Sequence, residues 1–284
     1  MYTTPIITLW HFSNFIQFTV FGNKGIHSLG KSFVYRGQPA NKSKVSPLLP
    51  KVGRENFKAK HPEYDHERAF VHWLKMGAAF TPGATLQIEA RSGAQHFGLP
   101  TALLDWSQNP YVALWFACQA AEDGPETDAE VICLYLSEGL TRSHASDASS
   151  VIFHNPRWID ARMRAQQAAF TFHPKLQALE LEELPPLESR KMCQRGLDFD
   201  QMMSGIFTDK QFQPHKGFNG YHDYLRAGKF HNLCRLFIPA GCKRIILKDL
   251  DSMGINSTFI YPDAEGLVRH LRWMESPEPD PNKM

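Results

Sequence analysis

LPTALLDWSQNPYVALWFACQAAE, residues 99–122, is the stretch on which the reading of the fold turns. It reads as a loop, a turn and a new helix. Ser107, Gln108 and Asn109 supply cap residues, and Pro110 suits a first helical turn. Val112, Leu114, Trp115 and Phe116 then make a helix over about residues 108–118 strongly apolar. Such a helix faces either a core or a twin subunit.

Upstream, HERAFVHWLKMGAAF (66–80) carries apolar or small residues near helical spacing, and residues 84–97 continue as a helix ending in QHFG. FVYRG reads as a strand ending at Gly37, residues 39–60 as an irregular connection, and residues 6–20 as a short helix or an edge strand. Downstream, EVICLYLS (130–137) is the clearest buried strand. PRWIDARMRAQQAAFTFHP (156–174) predicts a short helix or turn, then a strand at Ala168–Phe172. The acidic stretch 178–189 reads as a solvated linker. CRLFIPAGCKRIILKDLDSMGI (234–255) predicts a strand, a turn, a strand or short helix, and another helix start. TFIYPDAEGLVRHLRWM (258–274) predicts a strand-like piece and a final helix.

No regular strand–helix–strand repeat is visible. The chain is therefore expected to be α+β, with mixed or antiparallel sheets flanked by helices, rather than doubly wound. A single domain over residues 1–275 is expected, with a loop-rich insertion at about 175–220 and a disordered tail at 276–284.

The composition fits a globular chain: 284 residues, 43% hydrophobic and 21% charged. A net charge of +2 makes no case for a general nucleic-acid binder. Five cysteines without a CxxC pair suit a reduced, cytoplasmic setting. No apolar run reaches membrane-spanning length and no basic leader opens the chain, so no membrane partner is expected.

FVYRGQPA, residues 33–40, raises the functional question. Either it is a strand-end turn with an ordinary surface arginine, or the strand delivers Arg36 into a cleft and Gly37 lets a group approach the backbone. Arg36 suits a diphosphate or a carboxylate, and equally a salt bridge to Asp105. His96 can accept a proton or orient a ribose hydroxyl. Asp105, between Leu104 and Trp106, is expected to be partly buried and so to need a partner. The structural alternative is that Asp105 caps the turn before the 108–118 helix and His96 the end of the preceding one. In strict alternation Gln166 shares a face with Ala168 and Phe170. Its amide can donate and accept but is a poor base, so acyl or glycosyl transfer needs a carboxylate such as Asp105, Asp263 or Glu265. Histidines are scattered, so no metal site is expected, and no phosphate-binding glycine fingerprint occurs.

VYRGQ, LLP and Arg54 (Val34–Gln38, Leu48–Pro50), QHFGLPTALLDWSQNPYVALWFA (Gln95–Ala117), QQAAF (Gln166–Phe170) and INSTFIYPDAEGLVRHL (Ile255–Leu271) together resemble the FRG domain family. That family is named for an aromatic-Arg-Gly motif, matched by Tyr35-Arg36-Gly37, and the likeness covers most of residues 30–272. Two positions depart from it: Ala102 stands where an arginine is usual, and Ala168 where a glycine is usual.

The family looks like a distant relative of the ADP-ribosyltransferase fold, which implies a split-sheet core and NAD as substrate. By that resemblance Arg36 clamps the pyrophosphate, with Tyr35, Gly37 and Gln38 around it. Ser107 and Tyr111 line the nicotinamide or ribose, and Gln166 takes the third position with Phe170 nearby. His96 and Asp105 complete the catalytic set. The implied activity is transfer of ADP-ribose to a protein or nucleic-acid acceptor, or NAD glycohydrolysis, in the manner of a toxin or effector of bacterial and phage conflict. The alternatives are an inactive domain binding another nucleotide or a partner, and a nucleic-acid-processing enzyme.

Overall fold

The computed structural model describes residues 4–6, 8–16, 33–39, 48–80, 87–119, 127–135, 151–158, 160–179 and 231–276. Most of the expected insertion, the acidic stretch and the tail lie outside these residues. Strand β1 (Thr4–Pro5) leads into helix α1 (Leu9–Phe15), capped by the Thr8 hydroxyl. Strand β2 (Phe33–Gln38) follows, and then helices α2 (Glu55–Lys60), α3 (His66–Met76) and α4 (Gln87–His96). Next come β3 (Leu103–Ser107), α5 (Pro110–Cys118), β4 (Ala129–Tyr135) and β5 (Ile152–His154). Helix α6 (Ala161–Ala165) turns directly into β6 (Ala168–Phe172). Strand β7 (His231–Ile238) is followed by α7 (Lys243–Ser252), α8 (Ser257–Ile260) and α9 (Ala264–Met274).

The strands form one seven-stranded sheet in the order β1-β7-β4-β2-β3-β6-β5. Among the described residues only the β1–β7 pairing is parallel. The protein is thus α+β, with helices flanking a largely antiparallel sheet. Within the sheet the pairing is uneven. β2 pairs with β4 along its whole length, and β3 pairs with β6 along its whole length. Between β2 and β3 a single rung joins the halves, Tyr35 opposite Ser107.

Two cores lie over one face of the sheet. On the β2–β4–β7 half, Tyr35, Val131, Cys133 and Leu236 pack under α5, with α1 and α7 alongside. Six of the nine residues of α5 are buried, so this helix is core rather than a contact to a twin subunit. Its first turn is held by Asn109, whose Oδ1 accepts from the Tyr111 N–H at 2.9 Å, and by Pro110. A Cβ on Gly37 would stand 1.8 Å from the Ala113 carbonyl oxygen and 2.6 Å from the Ala117 nitrogen. The group that Gly37 admits to its backbone is therefore this helix.

On the β3–β6 half, Leu103, Ala168 and Phe170 pack with Met163 of α6. Helix α4 is tied to α3 by buried Arg91, which donates to both carboxylate oxygens of Glu67 at 3.0 and 2.9 Å. The opposite face of the sheet carries Val34, Leu104, Trp106, Ile132 and Leu134, covered by Leu48 and Leu179.

Several segments differ from the sequence reading; residues 55–60, expected within an irregular connection, form helix α2. Residues 103–107 form a strand, not a turn. Leu104 and Trp106 point to the rear core, while Leu103, Asp105 and Ser107 point forward, where a cavity replaces packed side chains. A strand whose forward face is half polar does not show the alternation that marks a strand. Residues 257–260 form a helical turn rather than a strand, because Asn256 Oδ1 accepts from the N–H groups of Thr258 and Phe259 and so overrides the β preference of Thr-Phe-Ile.

Candidate functional site

A cavity of about 370 Å³ opens between the two forward cores, over the single rung joining β2 to β3. Its floor is the sheet itself: Tyr35, Arg36 and Gly37 from β2, and Asp105 and Ser107 from β3, with Phe170 of β6 beside them. Gln95 and His96, the last turn of α4, form one wall, and Ala113 and Phe116 of α5 the opposite one. Met163 and Gln166 from the end of α6 close the back, and Arg162 and Tyr261 stand with them.

Arg36 occupies the seam. Past Tyr35 the strands pair no further, and the Arg36 Nη1 donates to the Asp105 backbone carbonyl at 2.7 Å, a side-chain bond where a ladder bond would otherwise run. Burial pushes its pKa down to about 10; the Asp105 carboxylate opposes the shift, Arg54 adds to it and Glu130 opposes it. At neutral pH Arg36 is charged.

Asp105 is not partly buried as its neighbours suggested. Strand alternation turns it away from Leu104 and Trp106, and its side chain is 62% exposed. Its Oδ1 accepts from Gln95 Nε2 at 2.7 Å, while Oδ2 lies 4.0 Å from Arg36 Nη1. The cap of α5 is Asn109, so Asp105 is left to the cavity.

His96 Nε2 contacts Asp160 Oδ2 at 2.7 Å. Burial lowers the His96 pKa, and Asp160 works against that shift. An imidazole kept neutral at pH 7 can take up a proton.

Gln166 donates from Nε2 to the Ile260 carbonyl at 3.2 Å, and its backbone carbonyl accepts from Ser107 Oγ at 2.7 Å. It therefore holds the C-terminal helices to the sheet at the cavity's edge. Asp263 and Glu265, the other carboxylates considered, are taken by Arg162, at 2.6 and 3.0 Å. Arg162 also lies over the Tyr261 ring.

The fold thus brings Tyr35, Arg36, Gly37, His96, Asp105, Ser107, Gln166 and Phe170 to one opening. It does not bring Gln38 or Tyr111 there. Gln38 lies on β2 opposite Glu130, and its buried Nε2 has no hydrogen-bond partner among the described residues. Tyr111 packs edge-on to Phe12, and its hydroxyl is 3.3 Å from Ser13 Oγ, beside a separate shallow hollow. Sequence reasoning missed Gln95 and Tyr261 as cavity-lining groups and Asp160 as the partner of His96. Gln95 was recoverable: one residue before His96 at a helix end, it faces the strand once residues 103–107 are read as β. Nothing local marks Asp160 or Tyr261, which reach the site only through tertiary packing. Among the described residues no three His, Cys, Asp or Glu side chains converge as a metal site. No helix of the described residues is long and apolar enough to cross a membrane.

A family model described as the FRG domain matches residues 31–126. The match takes in Arg36, Gln95, His96 and Asp105, while Arg162, Gln166, Phe170 and Tyr261 lie beyond it. No curated protein and no solved structure matches the chain.

Proposed function

We propose that the cavity binds a nucleotide-type small molecule and that the protein is an ADP-ribosyltransferase-like enzyme with NAD as substrate, for transfer or glycohydrolysis. The observation that carries this reading is the meeting, at one opening in the sheet, of a largely buried guanidinium, an accessible carboxylate and an imidazole, with Phe116 and Tyr261 alongside. The single-rung seam supports the reading of a split-sheet core.

In this reading Arg36 holds the pyrophosphate by charge-assisted hydrogen bonds, and the aromatic side chains take the nicotinamide face. Asp105 opposes the positive charge that grows on the ribose as its bond to nicotinamide breaks. The electron pair of that bond leaves with nicotinamide. Water or an acceptor's nucleophile adds to the anomeric carbon and passes its proton to His96.

The test is calorimetric titration with NAD together with an assay for released nicotinamide. Arg36→Ala should abolish binding. Asp105→Asn should keep binding and lose about a hundredfold in nicotinamide release. A folded wild-type protein that gives neither heat nor nicotinamide refutes NAD as the ligand. One observation favours a second reading, binding without turnover: Gln166, at the third position, spends its amide on the Ile260 carbonyl. Heat without nicotinamide release is its signature.

A further inference from the structure

Oppositely charged side chains that share a cavity ordinarily close to a contact of about 2.8 Å. Arg36 and Asp105 do not. Arg36 Nη1 stands 4.0 Å from Asp105 Oδ2 and donates to the Asp105 main-chain oxygen instead. The buried Arg36 Nε has no hydrogen-bond partner among the described residues.

A chain of hydrogen bonds running in one direction ends on the Asp105 carboxylate. The Leu103 N–H donates to Thr101 Oγ1 at 3.1 Å. The Thr101 hydroxyl donates to Gln95 Oε1 at 2.5 Å, and Gln95 Nε2 donates to Asp105 Oδ1 at 2.7 Å. Thr101 is 1% exposed, so its hydroxyl is spent inside the protein. Because the Gln95 oxygen is claimed by Thr101, only the amide nitrogen can face Asp105. The chain starts on the strand that carries Asp105, which fixes the carboxylate relative to its own backbone.

We propose that Gln95, locked by Thr101, is a positioning residue that holds the Arg36 guanidinium and the Asp105 carboxylate apart. The gap takes a ligand that presents an anionic oxygen and a hydroxyl donor side by side, as a nucleotide's phosphate and ribose do. The ligand class rests on the function proposed above; the spacer role does not. Without the Gln95 donor, Asp105 swings onto Arg36 and neutralises the anion anchor before a ligand arrives.

The test uses Gln95→Leu, Thr101→Val, Thr101→Ser, and the double variant Gln95→Leu with Asp105→Asn. Crystal structures should show the Arg36–Asp105 separation falling from 4.0 Å to about 3 Å in Gln95→Leu and in Thr101→Val, and unchanged in Thr101→Ser. Titration with inorganic pyrophosphate should weaken about tenfold in Gln95→Leu and return to within about twofold of wild type in the double variant, which has no carboxylate to collapse. An unchanged separation in Gln95→Leu overturns the proposal, as does a double variant no tighter than the single one. If wild-type protein binds neither pyrophosphate nor NAD, the nucleotide reading fails, and the crystallographic separation still decides the spacer role.

Discussion

His173 follows β6 with its side chain wholly buried behind the sheet. Its Nδ1 faces the Gln177 carbonyl at 2.8 Å, and a carbonyl only accepts, so Nδ1 carries the proton. Nε2 therefore accepts from the Thr171 hydroxyl at 2.9 Å, and that hydroxyl in turn accepts from Trp106 Nε1 at 3.0 Å. The network is complete only while the imidazole is neutral. Burial pushes its pKa down to about 4, the Gln177 carbonyl opposes the shift and the Arg36 charge adds to it. In the unfolded chain a histidine titrates near 6.5. Above that value both states are neutral and His173 adds no pH dependence. As pH falls from about 6.5 to about 4 the unfolded chain takes up the proton first, and stability drops by an amount on the order of 3 kcal/mol. Urea midpoints measured from pH 7 to pH 4 should fall accordingly. His173→Asn should be less stable at pH 7 yet lose less on acidification; an equally steep acid limb refutes the assignment. None of this was legible in the sequence, where His173 was an unmarked residue before Pro174. Arg36, His96 and Asp105 were legible as chemistry, because strand ends and loops with mixed charge stand out against an apolar background. Their mutual geometry was not. It depends on the pleat, which turns Asp105 forward and Arg36, like Gln38, back, so that the guanidinium meets Asp105 only through the seam.

Secondary structure was readable where one face or one run was uniformly apolar, as in α5 and β4, and misread where a cavity took the place of a core, as in β3. Two glycines separate steric from conformational demands at this level. Gly37→Ala places a methyl group against the backbone of α5, which has no rotamer to yield, so β2 and α5 must part. A loss of about 3 kcal/mol or more is expected in chemical denaturation. Gly98, which ends α4, has φ +94°, with open space where a Cβ would stand. Gly98→Ala should therefore cost only the strain of the left-handed backbone, about 1–2 kcal/mol. Equal losses at the two sites would show that the contact of β2 with α5 is looser than described.

Across the whole molecule, the cavity is assembled from distant parts of the chain. The C-terminal helices are brought to it by Gln166 and by Arg162 with Asp263 and Glu265. A Cβ on Gly266 would fall 1.8 Å from the Tyr261 carbonyl oxygen, so α9 packs directly on the turn that carries Tyr261. Arg162→Ala should release these C-terminal helices without unfolding the sheet: limited proteolysis should cut sooner near residues 255–276, and raised salt should do the same to wild type, since these ion pairs are partly exposed. Uniform sensitivity along the chain would contradict that picture. The C-terminal contribution was only partly visible beforehand, because contacts between residues about a hundred positions apart leave no local periodicity.

The one-rung join between β2 and β3 bears on how the native state opens. A continuous ladder transmits opening from strand to strand, whereas a seam lets two blocks breathe separately. Native-state amide exchange should thus resolve two cooperative units, β2–β4–β7 and β3–β6–β5, with distinct opening free energies. A molecule gripping Arg36 on one block and Asp105 on the other would weld them, and their exchange rates would then converge.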